Sequence, residues 1–290
     1  MPFEANFSNT PSNPQALVLS PHPDDAILSC WSVLTGPAET LVLNLFAGVP
    51  PAGTALSAWD RITGATDARA RALERIAEDR DALSVAACDG VNLDFLNDQL
   101  WSRSRNYWTL PAKLLNRVAP RALAARRYRQ RVRLLAPAVL EHATPEVEIY
   151  APAAIGGHAD HRLARDIAWD LVRRGRVVHF YADQPYCTAL GWPHWVTGQA
   201  PDPQVDVDAH WSTFLADSEV DFARLEARVE RLSDADRGQK LDTLRRYRTQ
   251  FAALNAGDRG VLENPNVIGW EVFWSATSRA DDDDRDRLAR

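Results

Sequence analysis

Leu17-Val-Leu-Ser-Pro-His-Pro-Asp-Asp-Ala-Ile-Leu28 reads as a buried strand that ends in a histidine and two aspartates. Leu17, Val18 and Leu19 form a short apolar run of the kind that fills the middle of a parallel sheet. Pro21 and Pro23 stop the ladder because they bring no N–H. The polar residues therefore stand at the strand's carboxyl end, the edge where open α/β sheets bind ligands. Asp24 and Asp25 then open a helix running to about Thr35, where carboxylates complement the helix dipole. By themselves these four residues also fit a proline turn with an N-capping aspartate.

A second constellation separates the two readings. Gly156-Gly157-His158-Ala159-Asp160-His161 follows another β-type run, Val147 to Ala151, and precedes another helical pattern. Two histidine/aspartate clusters at equivalent strand-to-helix junctions point to one shared metal site rather than to two unrelated caps. Such a site forms only when the sheet folds.

The 290 residues, 46% of them hydrophobic, suffice for one large core. The expected architecture is a single α/β domain, Rossmann-like, with a mostly parallel sheet flanked by helices, over residues 1–278. Residues 279–290, with Asp281 to Asp284 in a row, are expected to be a solvated, disordered acidic tail. A formal net charge of −6 argues against nucleic acid as a partner. A small-molecule substrate is expected instead. Cys30, Cys88 and Cys187 are odd in number and widely spaced, which fits a reducing compartment better than a disulfide framework. There is no signal peptide and no apolar segment of membrane-spanning length, so a cytoplasmic location is expected.

Met1 to Gln15 is a polar, proline-rich lead-in. Thr40 to Phe46 gives a second strand, and the Gly48–Gly53 loop at the same sheet edge is a candidate wall of the pocket. From Asp67 to Ser84, Ala70, Leu73, Ile76, Ala77 and Leu83 recur at helical spacing as a covering helix. Val91 to Leu96 alternates as a third strand and ends in Asn97-Asp98, which makes Asp98 a candidate substrate contact. Trp101, Tyr107 and Trp108 follow, as stacking surfaces or as plain packing. Arg121 to Arg133 carries six arginines in thirteen positions, a pattern typical of a solvated helix face. Helices follow at Val132 to His142 and at Asp160 to Arg174, then a buried strand, Val177 to Tyr181, in which His179 reads as a core residue. Val205-Asp-Val207 alternates briefly, a helix is expected from Asp236 to Leu254, and Trp270 to Trp274 alternates as the last strand. There is no internal repeat, no GxGxxG, no P-loop and no G-x-S-x-G.

His22, Asp25 and His161 supply two imidazoles and one carboxylate, a set that leaves positions open on a divalent ion, Zn²⁺ in the first instance with Fe²⁺ as the alternative. A water on such an ion has a pKa near neutrality. Asp24 is placed to act as base and then acid. His158, three residues before a ligand, would face the developing oxyanion, with Asp160 keeping its imidazole protonated. Together these parts make metal-assisted amide hydrolysis.

His22-Pro-Asp-Asp25 and His158-Ala-Asp-His161, with Lys240…Tyr247…Gln250 and Glu271-Val-Phe273 near the end, resemble the PIG-L type (LmbE-like) de-N-acetylases over most of the chain. The resemblance implies a Rossmann-like fold and a zinc-dependent hydrolase that removes acetyl from an N-acetylglucosaminyl or similar amino-sugar conjugate. Carried over by motif, it makes His22, Asp25 and His161 the metal ligands, Asp24 the base and His158 the oxyanion stabiliser with Asp160 behind it. It also makes Asp98 and Arg75 substrate contacts. The chain departs from the pattern at Ala26, where the family commonly has glutamate, and at Ser29-Cys-Trp-Ser32, where it has a glycine pair. Both departures bear on the substrate more than on the reaction. Two other classes are also considered: a non-haem Fe(II) oxygenase using His22, Asp24 and His161, and a non-catalytic sugar-binding protein that retains the metal site.

Overall fold

The computed structural model describes residues 14–104, 120–200 and 203–277. The lead-in up to residue 13, Tyr107, Trp108 and the acidic tail lie outside the described residues. A seven-stranded sheet forms the centre, built from β1 (Ala16–Ser20), β2 (Thr40–Asn44), β3 (Asp89–Asn92), β4 (Glu148–Pro152), β5 (Val178–Tyr181), β6 (Glu226–Arg231) and β7 (Trp270–Ala276). Their order is β3-β2-β1-β4-β5-β7-β6. β1 to β5 are parallel, and β7 runs antiparallel to both β5 and β6. The expected mostly parallel α/β sheet is therefore the observed one. The chain starts at β1, winds outward to β3, then crosses back to place β4 on the other side of β1. The β1/β4 boundary is thus the topological switch point, where the connections diverge and leave a crevice at the strands' carboxyl ends.

Side-chain alternation divides the interior into two layers. Leu17, Leu19, Leu41, Leu43, Ile149, Ala151, Val178 and Phe180 face one core, beneath α6 (Pro120–His142) and α7 (Ala159–Arg173). Ala16, Val18, Val42, Tyr150 and Phe273 face the other, beneath α1 (Asp25–Ser29), α2 (Trp31–Leu34), α4 (Ala68–Val85) and α9 (Asp234–Leu244). Between β2 and α4 stands the short helix α3 (Ala58–Ile62), closed by a reciprocal Ser57/Asp60 capping box. α5 (Asp98–Ser104) follows β3, and α8 (Val207–Ala216) follows β5.

Several local expectations are corrected. The helix after β1 breaks at Cys30, because the Glu271 carboxylate reaches in from β7 and accepts the Trp31 and Ser32 N–H groups at 2.7 and 2.9 Å. Glu271 is itself paired with Lys240 at 2.9 Å, and both side chains are fully buried. Val205 to Val207 is no strand; Val207 begins α8, capped by Asp206 accepting from the Ala209 N–H. The helix expected from Asp236 to Leu254 ends at Leu244 and restarts as a single turn at Phe251, leaving Tyr247 and Gln250 in an irregular link. On α4 the buried face is Arg71, Glu78, Asp79, Ala82 and Leu83, whereas Leu73 is 46% exposed. Of the expected apolar stripe only Leu83 is buried, in the core with Ala82, and polar contacts from Arg71, Glu78 and Asp79 to Thr249 and Tyr247 complete the attachment. The edge strand β6 was not anticipated.

Candidate active site

Strand β1 delivers His22, Asp24 and Asp25 to the switch point, and β4 delivers His158, Asp160 and His161 beside them. Ser20 shapes the first turn: its hydroxyl donates to the His22 carbonyl at 2.7 Å and accepts from the Ala26 N–H at 3.3 Å. Asp24 occupies the N-cap position of α1 but makes no side-chain cap bond, so its carboxylate is not consumed by the helix. Its φ of 137° lies where residues with a β-carbon are rarely found. In the second turn Gly156 and Gly157 also have positive φ; a β-carbon on Gly156 would stand 2.7 Å from that of Tyr186. Only glycine admits that approach.

The two turns meet on Asp25. Its Oδ2 lies 3.2 Å from His22 Nδ1 and 3.2 Å from His161 Nε2, and it also accepts the His22 backbone N–H at 2.8 Å. Behind the first ring, His22 Nε2 is 3.1 Å from Asp160 Oδ2. Behind the second, His161 Nδ1 is 3.4 Å from Asp183 Oδ1. Asp24, Asp25, Asp160, His161 and Asp183 are all buried. The Asp24 carboxylate faces Arg75, with Nη2 at 3.6 Å.

Charge follows from this crowding. Burial alone would raise the Asp25 carboxyl, but the imidazoles of His161 and His22 hold it well below the usual carboxylate range. Burial would lower the His161 imidazole; Asp25 and Asp183 instead push it up to about 10. The same competition, with Asp160 and Asp25 opposing burial, raises His22. Asp24 is pushed up to about 7, first by burial, with Arg75 opposing. His158 goes the other way, down to about 3, through burial and the neighbouring His22 and His161. Asp160 keeps its proton off despite burial, because His22 and Arg131 stabilise the carboxylate.

The donor set fits a divalent ion. Tetrahedral ligands at roughly 2.0–2.1 Å from a metal stand about 3.3 Å apart, close to both 3.2 Å separations on Asp25. His161 Nε2 is buried and has no hydrogen-bond partner among the described residues. One ring nitrogen each of His22, His158 and His161 lies within 4.8 Å of the others, so the imidazoles that could share an ion include His158. An ion on these nitrogens would displace the protons that the neighbouring carboxylates favour on His22 and His161.

Three expectations change here. Asp160 does not sit behind His158: its carboxylate faces His22, the Asp98 N–H at 3.2 Å and Arg131, while His158 Nδ1 accepts the Asp160 backbone N–H at 3.3 Å. The His158 ring is therefore neutral, with Nε2–H as its donor. The oxygenase grouping of His22, Asp24 and His161 is not the one the fold assembles, since Asp25 and not Asp24 lies between the imidazoles. The Gly48–Gly53 loop does not wall the cleft. That role falls to Ser57, Trp59 and Ile62 around α3, facing Pro185 and Tyr186 across a space of about 290 Å³.

Arg75 lines the cleft as expected, but it also faces Asp24. Asp98 has its carboxylate on Arg131 Nη1 at 3.1 Å, and its neighbours Asn97 and Gln99 line the cleft. Gln250 is a lining residue, accepting the Trp59 indole N–H at 3.0 Å. Trp101 is core, 6% exposed. Sequence reasoning missed Arg131 and Asp183. Arg131 is one arginine among six in its run and nothing marks it as the buried one. Asp183 follows the apolar strand β5 directly, the same signal that marked Asp98 after β3.

No protein-family model matches the chain, and no curated protein matches it. Among solved structures, a deacetylase–bog complex from the teicoplanin biosynthesis pathway aligns with 90% of this chain and 96% of its own, at 24% identity and TM-score 0.59. The zinc inhibited form of teicoplanin deacetylase Orf2 aligns with 90% of this chain and 97% of its own, at 23% identity and TM-score 0.56. N,N'-diacetylchitobiose deacetylase from Pyrococcus horikoshii aligns with 95% of this chain and 89% of its own, at 13% identity and TM-score 0.52. The resemblance read from the motifs is thus borne out at the level of the fold.

Proposed function

We propose that this chain is a PIG-L type (LmbE-like) de-N-acetylase, a metal-dependent amide hydrolase that removes an N-acetyl or other N-acyl group from an amino-sugar conjugate such as an N-acetylglucosaminyl glycoside. One observation carries the reading: a single Asp25 oxygen lies 3.2 Å from a ring nitrogen of His22 and of His161, which arrive from different strands, with the Asp24 carboxylate left over beside them. That solved structures sharing the fold are deacetylases of a teicoplanin pathway and of N,N'-diacetylchitobiose supports the substrate class.

His22, Asp25 and His161 would hold the ion, Zn²⁺ or alternatively Fe²⁺. When bound, it supplies Lewis acidity that acidifies a water and polarises the amide. Asp24 accepts the proton of the attacking water and returns it to the leaving amine nitrogen. Its elevated pKa suits both duties, since a group titrating near neutrality gives up a proton as readily as it takes one. His158, neutral and with its Nδ1 engaged by a backbone N–H, donates from Nε2 to the oxyanion that develops on the acyl carbon. Asp160 orients His22. Arg75 is the proposed substrate contact; Asp98, whose carboxylate is on Arg131 and which does not line the cleft, is proposed to hold Arg131 instead, and Trp59 offers an aromatic wall to the sugar or its aglycone. The reading places the protein in a reducing cytoplasm, in keeping with its three free cysteines. Among the described residues no helix is long and apolar enough to cross a membrane.

The test is acetate release from a panel of N-acetylglucosaminyl glycosides. Chelation should abolish it, and stepwise Zn²⁺ or Fe²⁺ up to one equivalent should restore it. Stepwise addition matters because a relative is recorded in a zinc inhibited form. No hydrolysis from any acyl amide, with one equivalent of metal confirmed bound, would overturn the proposal.

A further inference from the structure

We infer that Asp183 is a positioning residue for the centre, fixing which nitrogen of His161 faces the ion and holding the turn that carries the second cluster; this rests on the reading of His161 as a ligand. Asp183 is fully buried just past the end of β5. Its Oδ1 lies 3.4 Å from His161 Nδ1 and accepts the Ala154 N–H at 2.9 Å, while its Oδ2 accepts the Ile155 N–H at 2.6 Å. Ala154 has a φ of 64°, so the carboxylate also secures a turn that residues with a β-carbon rarely adopt.

The consequence for His161 follows from its two nitrogens. A neutral imidazole has one N–H and one lone pair. A carboxylate is an acceptor only; with Asp25 engaged by the ion, Asp183 is the carboxylate left to hold a proton on Nδ1, which leaves the lone pair on Nε2, the atom 3.2 Å from Asp25. His22 is flanked in the same way, with Asp160 on Nε2 and Asp25 Oδ2 3.2 Å from Nδ1. Each imidazole thus has its own buried carboxylate on the side away from Asp25. Asp183 belongs to neither histidine motif and comes from a third strand, so β5 is tied into the site together with β1 and β4.

Asp183→Asn is the discriminating variant. With NH₂ in the place of Oδ1 it still accepts the Ile155 N–H, loses the acceptor for the Ala154 N–H and donates toward His161 Nδ1, which moves the ring proton to Nε2. Zn²⁺ affinity, measured by competition with a chromophoric chelator, should fall about 10- to 100-fold in Asp183→Asn and Asp183→Ala, while thermal unfolding confirms that they remain folded. Histidine-labelled protein loaded with ¹¹³Cd gives a readout that a merely structural role would not move. In the wild type His161 should show ¹¹³Cd coupling at Nε2 and a slowly exchanging Nδ1–H, and that proton signal should be lost in Asp183→Ala. Unchanged affinity in folded variants, or cadmium on Nδ1 of His161 in the wild type, overturns the inference alone, and the second measurement needs no variant to fold. A wild-type protein that takes up neither metal overturns the functional reading with it.

Discussion

Asp24 and Asp25 are adjacent and chemically identical, yet the fold gives them opposite surroundings. Asp25 lies between two imidazoles and is held ionised; Asp24, on a strained backbone, faces Arg75 and the cleft and is pushed up to about 7. This division of labour predicts that Asp24→Asn lowers kcat by about 10² to 10⁴ while Zn²⁺ uptake is unchanged. Stopped acetate assays paired with metal analysis check it; a variant that keeps its turnover would instead fit the sugar-binding reading. That the two carboxylates take different duties is an expectation from His22-Pro-Asp-Asp25, and the structure adds that Asp25 is the one between the imidazoles. The partner of Asp160 was not legible. Three residues within one helical turn can face either ring, and only the approach of Arg131 and the Asp98 amide directs the carboxylate to His22.

At the scale of elements, α4 is instructive because it turns polar groups inward. Asp79 accepts from Tyr247 at 2.7 Å and from Asn44 at 2.6 Å, so the irregular segment around Tyr247 is tied across α4 to β2. Burial nevertheless pushes the Asp79 carboxyl from its ordinary 3.8 up to about 6, the two hydrogen bonds opposing. The folded state therefore binds this proton more tightly than the unfolded chain. Its contribution to stability is full below about pH 4 and lost as pH rises through about 6, amounting to about 3 kcal/mol. In Asp79→Asn nothing titrates there, so the stability difference, wild type minus variant, should fall by that order between pH 4 and 7. Urea unfolding across the pH series measures it, and a flat difference would contradict the burial argument. β6 escaped sequence reading for a related reason. Glu226-Ala-Arg-Val-Glu-Arg231 is an edge strand with mostly exposed side chains, and such strands carry charge instead of an apolar signal.

For the whole molecule, the proposed centre at the ends of β1, β4 and β5 would link metal binding to folding. An ion held only by the native state stabilises it by about 2.7 kcal/mol at a hundredfold excess over Kd. Chelation should therefore lower Tm by roughly 4–5 °C, reversibly on Zn²⁺ addition, as followed by differential scanning calorimetry. An unchanged Tm with removal of the metal verified would mean that the two turns do not share an ion. Residue order alone carried the parallel sheet and the two histidine/aspartate clusters at its carboxyl edge: the runs at Leu17–Leu19 and Val147–Ala151 are too short for helices and are followed by proline or glycine and then by histidine and aspartate. Tertiary structure decided which carboxylate serves which imidazole, that Arg131 is the buried arginine of its run, and that Asp183 joins the site. The physical reason is that strand-end acids look alike along the chain, and their partners are chosen by the spacing and twist of neighbouring strands, which local sequence does not encode.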